Sequence, residues 1–354
     1  MEEKVNRVRV IHMLCSDSYS GAENVVCQIV NMFKDDRRYE FVYASPDGSI
    51  REALEMRNIP FAPMKSATLR EFKRVINEVK PTIIHAHDMK AGFLAALACG
   101  KIPMISHIHN NNVNSRKPTV KAALYRYAAV KAKHIFWVSQ SSFDGYCFHD
   151  GLENKSTVLY NVIDPVQLKE RADSAELKTA YDIIYIGRMT YQKNPQRLIK
   201  VLGEIIEEQP DIRCAMVGSG DLENEIRKEI HKRQLDKNID FLGFQSNPYG
   251  ILMRAKMMIM TSRWEGTPMC ALEAMTLGVP IVSTPTDGLK ELVKQCSTGF
   301  LEEDDIMIKK RCIEIVTNGT IREELSKAAM DRSKRLTDLD NYRRRMEKVY
   351  TRFL

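Results

Sequence analysis

Glu265 and Glu273 lie in a segment whose residue types suit the binding of a phosphorylated ligand. Thr267 is a good N-cap residue and Pro268 suits the first helical position, so we expect a helix that starts there and ends at Gly278. The free N–H groups and positive dipole end of such a helix favour a phosphate. Glu273 would then lie about 7.5 Å along the axis, a distance that suits ribose hydroxyls beside a pyrophosphate. The segment predicts a site for a nucleotide-linked ligand, with Glu265 on the other side of the phosphates. Alternatively, Glu265 is an ordinary loop acid and Glu273 a solvated helix residue, because short motifs match by chance.

Two cations follow a strand-like run further upstream. Ile183–Ile186 leads into Gly187, Arg188 and a loop that carries Lys193. An Arg fork and a Lys point charge at the end of a strand suit a diphosphate. The alternative is a pair of ordinary surface cations.

Two glycine-containing loops are weaker candidates for ligand contact. Gly218 and Gly220 follow the next strand-like run, where glycine lets a backbone approach a ligand closely. Near the N-terminus, Ser18–Glu23 contains Gly21 and is either an anion-binding turn or an ordinary one.

The bulk composition is that of a globular protein with two domains. The chain has 354 residues, 44% of them hydrophobic and 28% charged. No apolar run approaches the roughly 18 residues of a membrane span, and Met1–Lys4 does not open a signal peptide, so we expect a cytoplasmic protein. The eight cysteines include no C-x-x-C pair, so we expect no zinc.

The net charge of +7 is concentrated in part between residues 116 and 133. This stretch contains basic residues and no acid, with Leu124, Tyr125, Tyr127 and Val130 between them. The pattern predicts either a helix that lies on an anionic membrane surface or a solvated helix with one buried stripe. No nucleic-acid motif accompanies the basic excess, so we expect no nucleic-acid partner.

Short β-branched runs alternate with helical patterns along the whole chain, with one pause near residue 165. This arrangement predicts an α/β fold of two Rossmann-like, doubly wound domains facing a central cleft. We place the domains at 1–165 and 166–337, with a C-terminal helix at about 338–354 that packs back on the first domain. The expected strands are Val8–Leu14, Phe41–Ala44, Thr82–His85, Met104–Ile108, His134–Val138, Asp182–Ile186, Arg213–Val217, Ile239–Leu242, Met257–Met260 and Pro280–Ser283.

Taken in order, these motifs resemble the retaining family-four glycosyltransferases of the GT-B fold. The strongest part is Glu265-Gly266-Thr267-Pro268 with Glu273, joined to Arg188 and Lys193 at the expected separation. The segments Ile83–His87, Ser106–Asn110 and Tyr160–Asp164 also look like family segments, and the resemblance covers nearly the whole chain.

The resemblance implies a role for each matching residue. Arg188 and Lys193 would neutralise the departing diphosphate, and Glu273 would hold the ribose. Glu265 and the backbone from Gly266 to Met269 would hold the sugar and phosphates. His109, chosen over His107 because it is last before the loop, would contact the sugar from the N-terminal, acceptor-side domain. The remaining substrate-binding residues would be Gly21, Gly187, Gly218, Gly266, Thr267, Pro268 and Met269.

The implied reaction is transfer of a sugar from a nucleotide-diphosphate sugar, with UDP the commoner choice, to an acceptor hydroxyl. We expect no cofactor and no metal, and a saccharide or lipid-linked saccharide acceptor in surface polysaccharide synthesis. The alternatives are a sugar-nucleotide epimerase of the same fold and a non-catalytic anion- or nucleic-acid-binding module. A double-displacement glycosidase would need two carboxylates about 5–5.5 Å apart, which the separation of Glu265 and Glu273 makes unlikely. Two departures from the family pattern are the single glycine of Ser20-Gly21 and Leu289, which stands where a second glycine is frequent.

Overall fold

A computed structural model describes residues 7–110, 115–176 and 179–353, and the chain divides into two compact units. Unit 1 is Met1–Val162 with Asp338–Leu354, and unit 2 is Ile163–Thr337. The division follows Val162, close to the residue 165 expected from the sequence, and the C-terminal segment belongs to unit 1. The Met1–Lys4 segment, which entered the sequence-based expectation of a cytoplasmic protein, lies outside the described residues.

Unit 1 contains a parallel sheet of seven strands in the order β3-β2-β1-β4-β5-β6-β7. The central strands are short apolar runs buried on both faces, as a parallel sheet covered by helices requires. The strands are β1 (Val8–Met13), β2 (Tyr39–Pro46), β3 (Phe61–Met64), β4 (Ile83–His87), β5 (Met104–Ile108), β6 (His134–Trp137) and β7 (Ser156–Val158). The helices are α1 (Gly21–Met32), α2 (Ile50–Glu55), α3 (Leu69–Val79), α4 (Asp88–Ala98), α5 (Val120–Lys131) and α6 (Gln140–Asp144).

Unit 2 contains a parallel sheet of six strands in the order β10-β9-β8-β11-β12-β13. Its strands are β8 (Ile183–Ile186), β9 (Cys214–Val217), β10 (Ile239–Gly243), β11 (Met257–Met260), β12 (Ile281–Ser283) and β13 (Gly299–Leu301). Its helices are α7 (Pro165–Ser174), α8 (Pro195–Glu208), α9 (Glu223–Lys232), α10 (Tyr249–Arg254), α11 (Met269–Thr276), α12 (Asp287–Leu292), α13 (Asp305–Thr317) and α14 (Gly319–Leu336).

The last helix, α15 (Leu339–Tyr350), returns to unit 1. Its amphipathic pattern buries Met346 and Tyr350, and the Arg343 guanidinium donates to the Asp36 carboxylate at 2.8 Å. The Tyr350 hydroxyl lies 2.9 Å from Nδ1 of His85 in β4. The C-terminal helix is therefore part of the core of unit 1.

Each sheet has one point at which the strand order reverses. In unit 1 the chain builds outwards from β1 to β3 and then resumes at β4, next to β1; in unit 2 it builds from β8 to β10 and resumes at β11, next to β8. Ligands of doubly wound sheets bind beyond the carboxyl ends of the strands at such switch points. The predicted α/β fold with two Rossmann-like domains is confirmed.

Candidate functional site

The loop after β8 packs against the loop after β9 through glycines. A Cβ atom on Gly218, whose φ is +135°, would lie 2.0 Å from the Gly187 carbonyl oxygen. A Cβ atom on Gly220 would lie 2.6 Å from the carbonyl oxygen of Met189. The sequence suggested that these glycines let the backbone approach a ligand, but on the Cβ side the close neighbour is the protein's own main chain. Gly218 and Gly220 therefore have a structural role at the switch point, and any contact of Gly187 or Gly218 with a ligand stays a prediction.

Lys193 and Glu265 form a nearly buried ion pair between the loops that follow β8 and β11. The Lys193 Nζ atom lies 2.6 Å from Glu265 Oε1, and their side chains are 13% and 5% exposed. Burial opposes the charge of Lys193, but the Glu265 carboxylate outweighs it and raises the pKa of Lys193 above its usual value. The Ser262 hydroxyl donates to the same Glu265 oxygen at 2.6 Å. Lys193 therefore stays protonated at the switch point, with its charge paired with the Glu265 carboxylate.

Hydrogen bonds to backbone carbonyls hold these two loops together. The Gln192 side-chain amide donates to the Trp264 carbonyl at 3.0 Å, and the Arg263 backbone N–H donates to the Gln192 carbonyl at 2.8 Å. The Thr261 hydroxyl donates to the carbonyl of Asn194 at 3.1 Å. Neighbouring parallel strands thus bring together residues that are far apart in sequence.

Arg188 differs from Lys193 in its surroundings. Its side chain is exposed, and its guanidinium has no hydrogen-bond or ion-pair partner among the described residues. Its charge is close enough to Lys193 to oppose protonation of that lysine. Arg188 is thus a solvent-facing cation beside a buried one.

The helix that follows Glu265 starts one residue later than the sequence predicted. Pro268 is the N-cap, with extended backbone angles (φ −67°, ψ 120°), and α11 begins at Met269. The reason is that the Pro268 carbonyl accepts the first helical hydrogen bonds, from Ala271 and Leu272, so Thr267 lies outside the helix. The N–H groups of Met269 and Cys270 precede those bonds at the positive end of the helix.

The other end of α11 is as predicted. Gly278 has a φ of +75°, and the Val279 N–H bonds to the Ala274 carbonyl at 2.8 Å. The Gly278 N–H donates to the Met275 carbonyl at 3.2 Å, which completes a Schellman motif.

Gly266 is fixed by contact with Gly288 at the start of α12. A Cβ atom on Gly288 would lie 1.2 Å from the Gly266 carbonyl oxygen, so no side chain can replace the hydrogen there. Leu289, which departs from the family pattern, is fully buried. The residue that departs from the pattern therefore belongs to the core of unit 2, and Gly288 alone provides the close approach.

Glu273 is buried and hydrogen-bonded rather than solvated. The Tyr249 hydroxyl donates to Glu273 Oε1 at 2.9 Å, and burial raises the pKa of Glu273. The Arg171 guanidinium stacks on the Tyr249 ring at 4.6 Å from its centroid. The site therefore includes Tyr249 and Arg171, which no motif had indicated.

In unit 1, a carboxylate already lies at the loop before α1. Glu23 Oε2 accepts from the Ser20 N–H at 3.1 Å and from the Ser20 hydroxyl at 2.5 Å. A carboxylate at a helix N-terminus interacts with the same dipole end that an anionic ligand would use. The structure thus shows a capped turn at Gly21, and its predicted ligand contact is not tested.

His109 follows β5 and is buried, with 7% of its surface exposed. Its ring Nε2 lies 2.9 Å from Nδ1 of His87, and its backbone N–H donates to the Asp88 carboxylate at 2.9 Å. Burial lowers the pKa of His109 to about 3, so the ring is neutral at physiological pH. His107 is fully buried as well. The predicted contact of His109 with a sugar stays a prediction.

The predicted residues of unit 2 converge, whereas the partners that hold them were missed. Lys193, Glu265 and the start of α11 meet at one switch point, with Arg188 beside them. Ser262 could have been suspected from its place two residues after the end of β11. Tyr249 lies on another helix, so sequence order gave no signal for it.

Two protein-family models match adjacent parts of the chain. One, described as glycosyl transferases group 1, matches residues 166–332, and the other, described as Glycosyltransferase Family 4, matches residues 19–167. Together the two models match residues 19–332, so the chain is similar to these glycosyltransferases over both units. The first model covers the strands and loops that carry Arg188, Lys193 and Glu265.

Two curated relatives differ in how much of the chain they match. An uncharacterized glycosyltransferase of Methanocaldococcus jannaschii is 27% identical over 232 residues, which are 60% of this chain and 57% of that protein. The chain thus matches less than two thirds of that relative's length. The UDP-Gal:alpha-D-GlcNAc-diphosphoundecaprenol alpha-1,3-galactosyltransferase of Escherichia coli is 22% identical over 364 residues, with 92% of both chains covered.

A solved structure shares the fold of this chain. HepE of Anabaena, in complex with UDP and glucose, superposes with a TM-score of 0.83 at 17% identity. The match covers 98% of this chain and 100% of that one. The likeness agrees with the two Rossmann-like domains of the GT-B fold.

Proposed function

We propose that this protein transfers a sugar from a UDP-sugar to an acceptor hydroxyl with retention of anomeric configuration and without a metal. The observation that carries the proposal is the switch point of unit 2, where Lys193, Glu265 and the start of α11 meet beside Arg188. Cations and free N–H groups at the ends of parallel strands suit a diphosphate. The bound UDP in HepE and the UDP-galactose in the name of the Escherichia coli relative support this choice of donor.

In this proposal the cations act on the leaving group. The barrier is the departure of the diphosphate from an oxocarbenium-like centre, and fixed positive charge stabilises the charge that develops. Lys193 is held in place by Glu265 and stays protonated, so little reorganisation is needed. Arg188, which is exposed to solvent, supplies a second positive charge. The N–H groups of Met269 and Cys270 add hydrogen bonds to the diphosphate.

The two glutamates would act on different parts of the donor. Glu273 has one oxygen held by Tyr249, which leaves the other to accept from the ribose hydroxyls. Glu265 has one oxygen held by Lys193 and Ser262, and its other oxygen would accept from sugar hydroxyls. Each carboxylate is thus oriented before the substrate binds. His109 would contact the sugar as a neutral ring.

The function is tested by incubating the protein with UDP-sugars and a bacterial lipid extract as the acceptor source. We expect UDP release that depends on the extract, and a product whose anomeric proton shows the configuration of the donor. UDP release without acceptor, together with an altered sugar nucleotide, would identify an epimerase instead. An inverted product would contradict the retaining mechanism.

Metal independence is tested in the same assay. With the leaving group neutralised by Lys193 and Arg188, we expect the initial rate to be unchanged when EDTA is added with the substrates. Strict dependence on manganese or magnesium would contradict this part of the proposal.

A lipid-linked acceptor is supported by the surface of α5. The helix buries small residues and Tyr125 against unit 1, while larger apolar side chains remain exposed: Val120, Leu124, Tyr127 and Val130. These four lie at helical spacing and are flanked by the exposed cations Lys117, Lys121, Lys131 and Lys133. The exposed apolar stripe suits insertion at a lipid surface, and the flanking cations attract the anionic head groups of that surface. Within the described residues, no helix is long and apolar enough to span a membrane.

Vesicle sedimentation tests this surface. We expect binding to vesicles that contain phosphatidylglycerol and loss of binding when Lys117, Lys121 and Lys131 are changed to Glu, since each cation near such a surface contributes about 1 kcal/mol. Changing Lys228 and Lys232 of α9 to Glu is the control and should leave binding unaltered. Equal partitioning of the α5 variant and the wild type would rule out this surface.

A further inference from the structure

Five of the eight histidines are gathered on the sheet of unit 1, at its switch point. His12 lies on β1, His85 and His87 on β4, His107 on β5, and His109 just beyond β5. Neighbouring rings have centroids 4.1 to 5.6 Å apart, and all five are buried. The sugar-transfer proposal uses only His109, so the other four rings have no assigned role.

The ring nitrogens of this cluster are only partly paired. Nδ1 of His12 lies 2.8 Å from Nε2 of His87, and Nδ1 of His87 in turn faces Nε2 of His109. Among the described residues, Nε2 of His12, Nε2 of His85, both nitrogens of His107 and Nδ1 of His109 are buried without a hydrogen-bond partner. Buried polar groups of this kind normally have partners, so the unpaired nitrogens need an explanation.

We propose that His12, His85 and His87 coordinate one divalent transition-metal ion of the Zn²⁺ or Co²⁺ type. The three rings offer ligand atoms that all lie within 4.8 Å of one another. Imidazole nitrogen suits Zn²⁺ and its neighbours in the periodic table, whereas Mg²⁺ and Ca²⁺ prefer oxygen ligands, which these three side chains do not offer.

The contacts of His85 favour this group over the neighbouring group of His87, His107 and His109. The Tyr350 hydroxyl lies 2.9 Å from Nδ1 of His85, which fixes the ring and leaves Nε2 as the free ligand atom. Metal-binding histidines are normally oriented in this way through their second nitrogen. His12 and His87 already face each other through Nδ1 and Nε2, and an ion between them takes the place of the shared hydrogen. Among the described atoms, neither nitrogen of His107 has such an anchor.

The ion would connect three parts of unit 1. Its ligands come from β1 and β4, and its anchoring hydroxyl comes from the C-terminal helix α15. The site would therefore stabilise the return of α15 to the sheet, and it does not depend on the sugar-transfer chemistry of unit 2. Because the rings are buried, the ion would enter during folding or local opening.

Metal content and thermal stability test the site. Untagged protein is refolded with Zn²⁺, Co²⁺ or Mg²⁺, freed of loose ions by gel filtration, and analysed for metal. We expect about one Zn²⁺ or Co²⁺ per chain, a visible absorption spectrum typical of nitrogen-bound Co²⁺, and a Tm raised by about 5 °C at saturating Zn²⁺. Mg²⁺ should neither be retained nor shift the Tm. Substoichiometric Zn²⁺ and Co²⁺ with an unchanged Tm would overturn the proposal.

Variants decide which rings bind. His85→Phe should abolish retention of Co²⁺, and Tyr350→Phe, which keeps the ring and removes the anchoring hydroxyl, should weaken Zn²⁺ binding by about 10- to 100-fold. His231→Ala is the control, because this side chain is 85% exposed in unit 2, and it should bind as the wild type does. Emission from the buried Trp137 shows whether unit 1 has folded. Loss of binding in a folded His107→Phe variant, with Tyr350→Phe unaffected, would contradict this choice of ligands.

Discussion

In unit 1 the strands at the switch point end among neutral, buried imidazoles, whereas in unit 2 the corresponding strands lead to the Lys193–Glu265 pair and the exposed Arg188. Both sheets have the same reversal of strand order between their first and fourth strands. Each unit therefore has a switch point at the same place in its sheet, and the side chains at that point determine its chemistry.

The two units differ in whether the buried side chains at the switch point are charged. Burial removes charge from the histidines of unit 1, because it lowers the pKa of each of these rings. In unit 2 a buried carboxylate keeps Lys193 protonated, so positive charge persists where a diphosphate would bind. We therefore propose that a diphosphate binds in unit 2, and this contrast between the two units can be tested.

The largest expected effect is the acid sensitivity of unit 1. Burial lowers the pKa of His12 and His109 to about 3 and lowers those of His85, His87 and His107 well below 6.5. Below pH 6.5 these histidines are protonated in the unfolded chain but not in folded unit 1, so the free energy of unfolding falls from about pH 6.5 towards pH 3. Each such histidine lowers the free energy of unfolding by about 1.4 kcal/mol per pH unit. Metal-free unit 1 should unfold near pH 5 while unit 2 remains folded.

Tryptophan emission separates the two units. The chain has two tryptophans, Trp137 in unit 1 and Trp264 in unit 2. Acid titration of a Trp264→Phe variant, in chelator, reports on unit 1 alone, and the wild type adds the signal of unit 2. Coincident transitions of both units, or a stable unit 1 at pH 4, would contradict the account.

A smaller effect is expected for loss of the ion pair in unit 2. Lys193→Ala leaves the buried Glu265 carboxylate without its cation, which should reduce the stability of unit 2 by about 3–5 kcal/mol. Adding Glu265→Gln should restore most of that stability, because the buried charge is then removed. Urea unfolding followed by Trp264 emission measures both. If the single variant were as stable as the wild type, the pair would not be the buried contact described here.

The smallest expected effect concerns the loop that carries Glu265 and Gly266. Gly288→Ala places a methyl group against the Gly266 carbonyl, and the backbone must move, at a cost of about 1–3 kcal/mol. Gly203→Ala is the matched control, since a methyl group on α8 meets the nearest atom, of Leu235, at an ordinary 3.6 Å. Urea midpoints of the two variants give the comparison. Equal urea midpoints for the two variants would mean that the loop moves aside at no measurable cost in stability.

The central strands of both sheets could be predicted from the sequence, because they are buried apolar runs. The strands that were missed are Phe61–Met64, Ser156–Val158 and Gly299–Leu301. All three lie at sheet edges and are three or four residues long, and none shows a clear alternation of apolar and polar residues. Such strands form because a neighbouring strand is present, which a local pattern cannot show.

The candidate site was predictable to the extent that its residues follow strands. Arg188, Lys193 and Glu265 each stand after a strand end, and parallel strands bring those ends to one edge. Partners from other elements, such as Tyr249 for Glu273, depend on packing and left no signal. The histidine cluster was missed for a related reason: its rings come from β1, β4 and β5, and each appeared in the sequence as a single buried residue or a short pair.

The most direct test of the diphosphate site is calorimetric titration of UDP and of uridine into the wild type and Arg188→Ala. Arg188 is exposed, so its loss should leave the fold intact, and Lys228→Ala controls for the change in net charge. We predict that Arg188→Ala weakens UDP binding by about 10- to 100-fold and leaves uridine binding unchanged, because a hydrogen bond between charged groups contributes about 1.5–3 kcal/mol. Unchanged UDP affinity, or an equal loss for both ligands, would contradict the assignment.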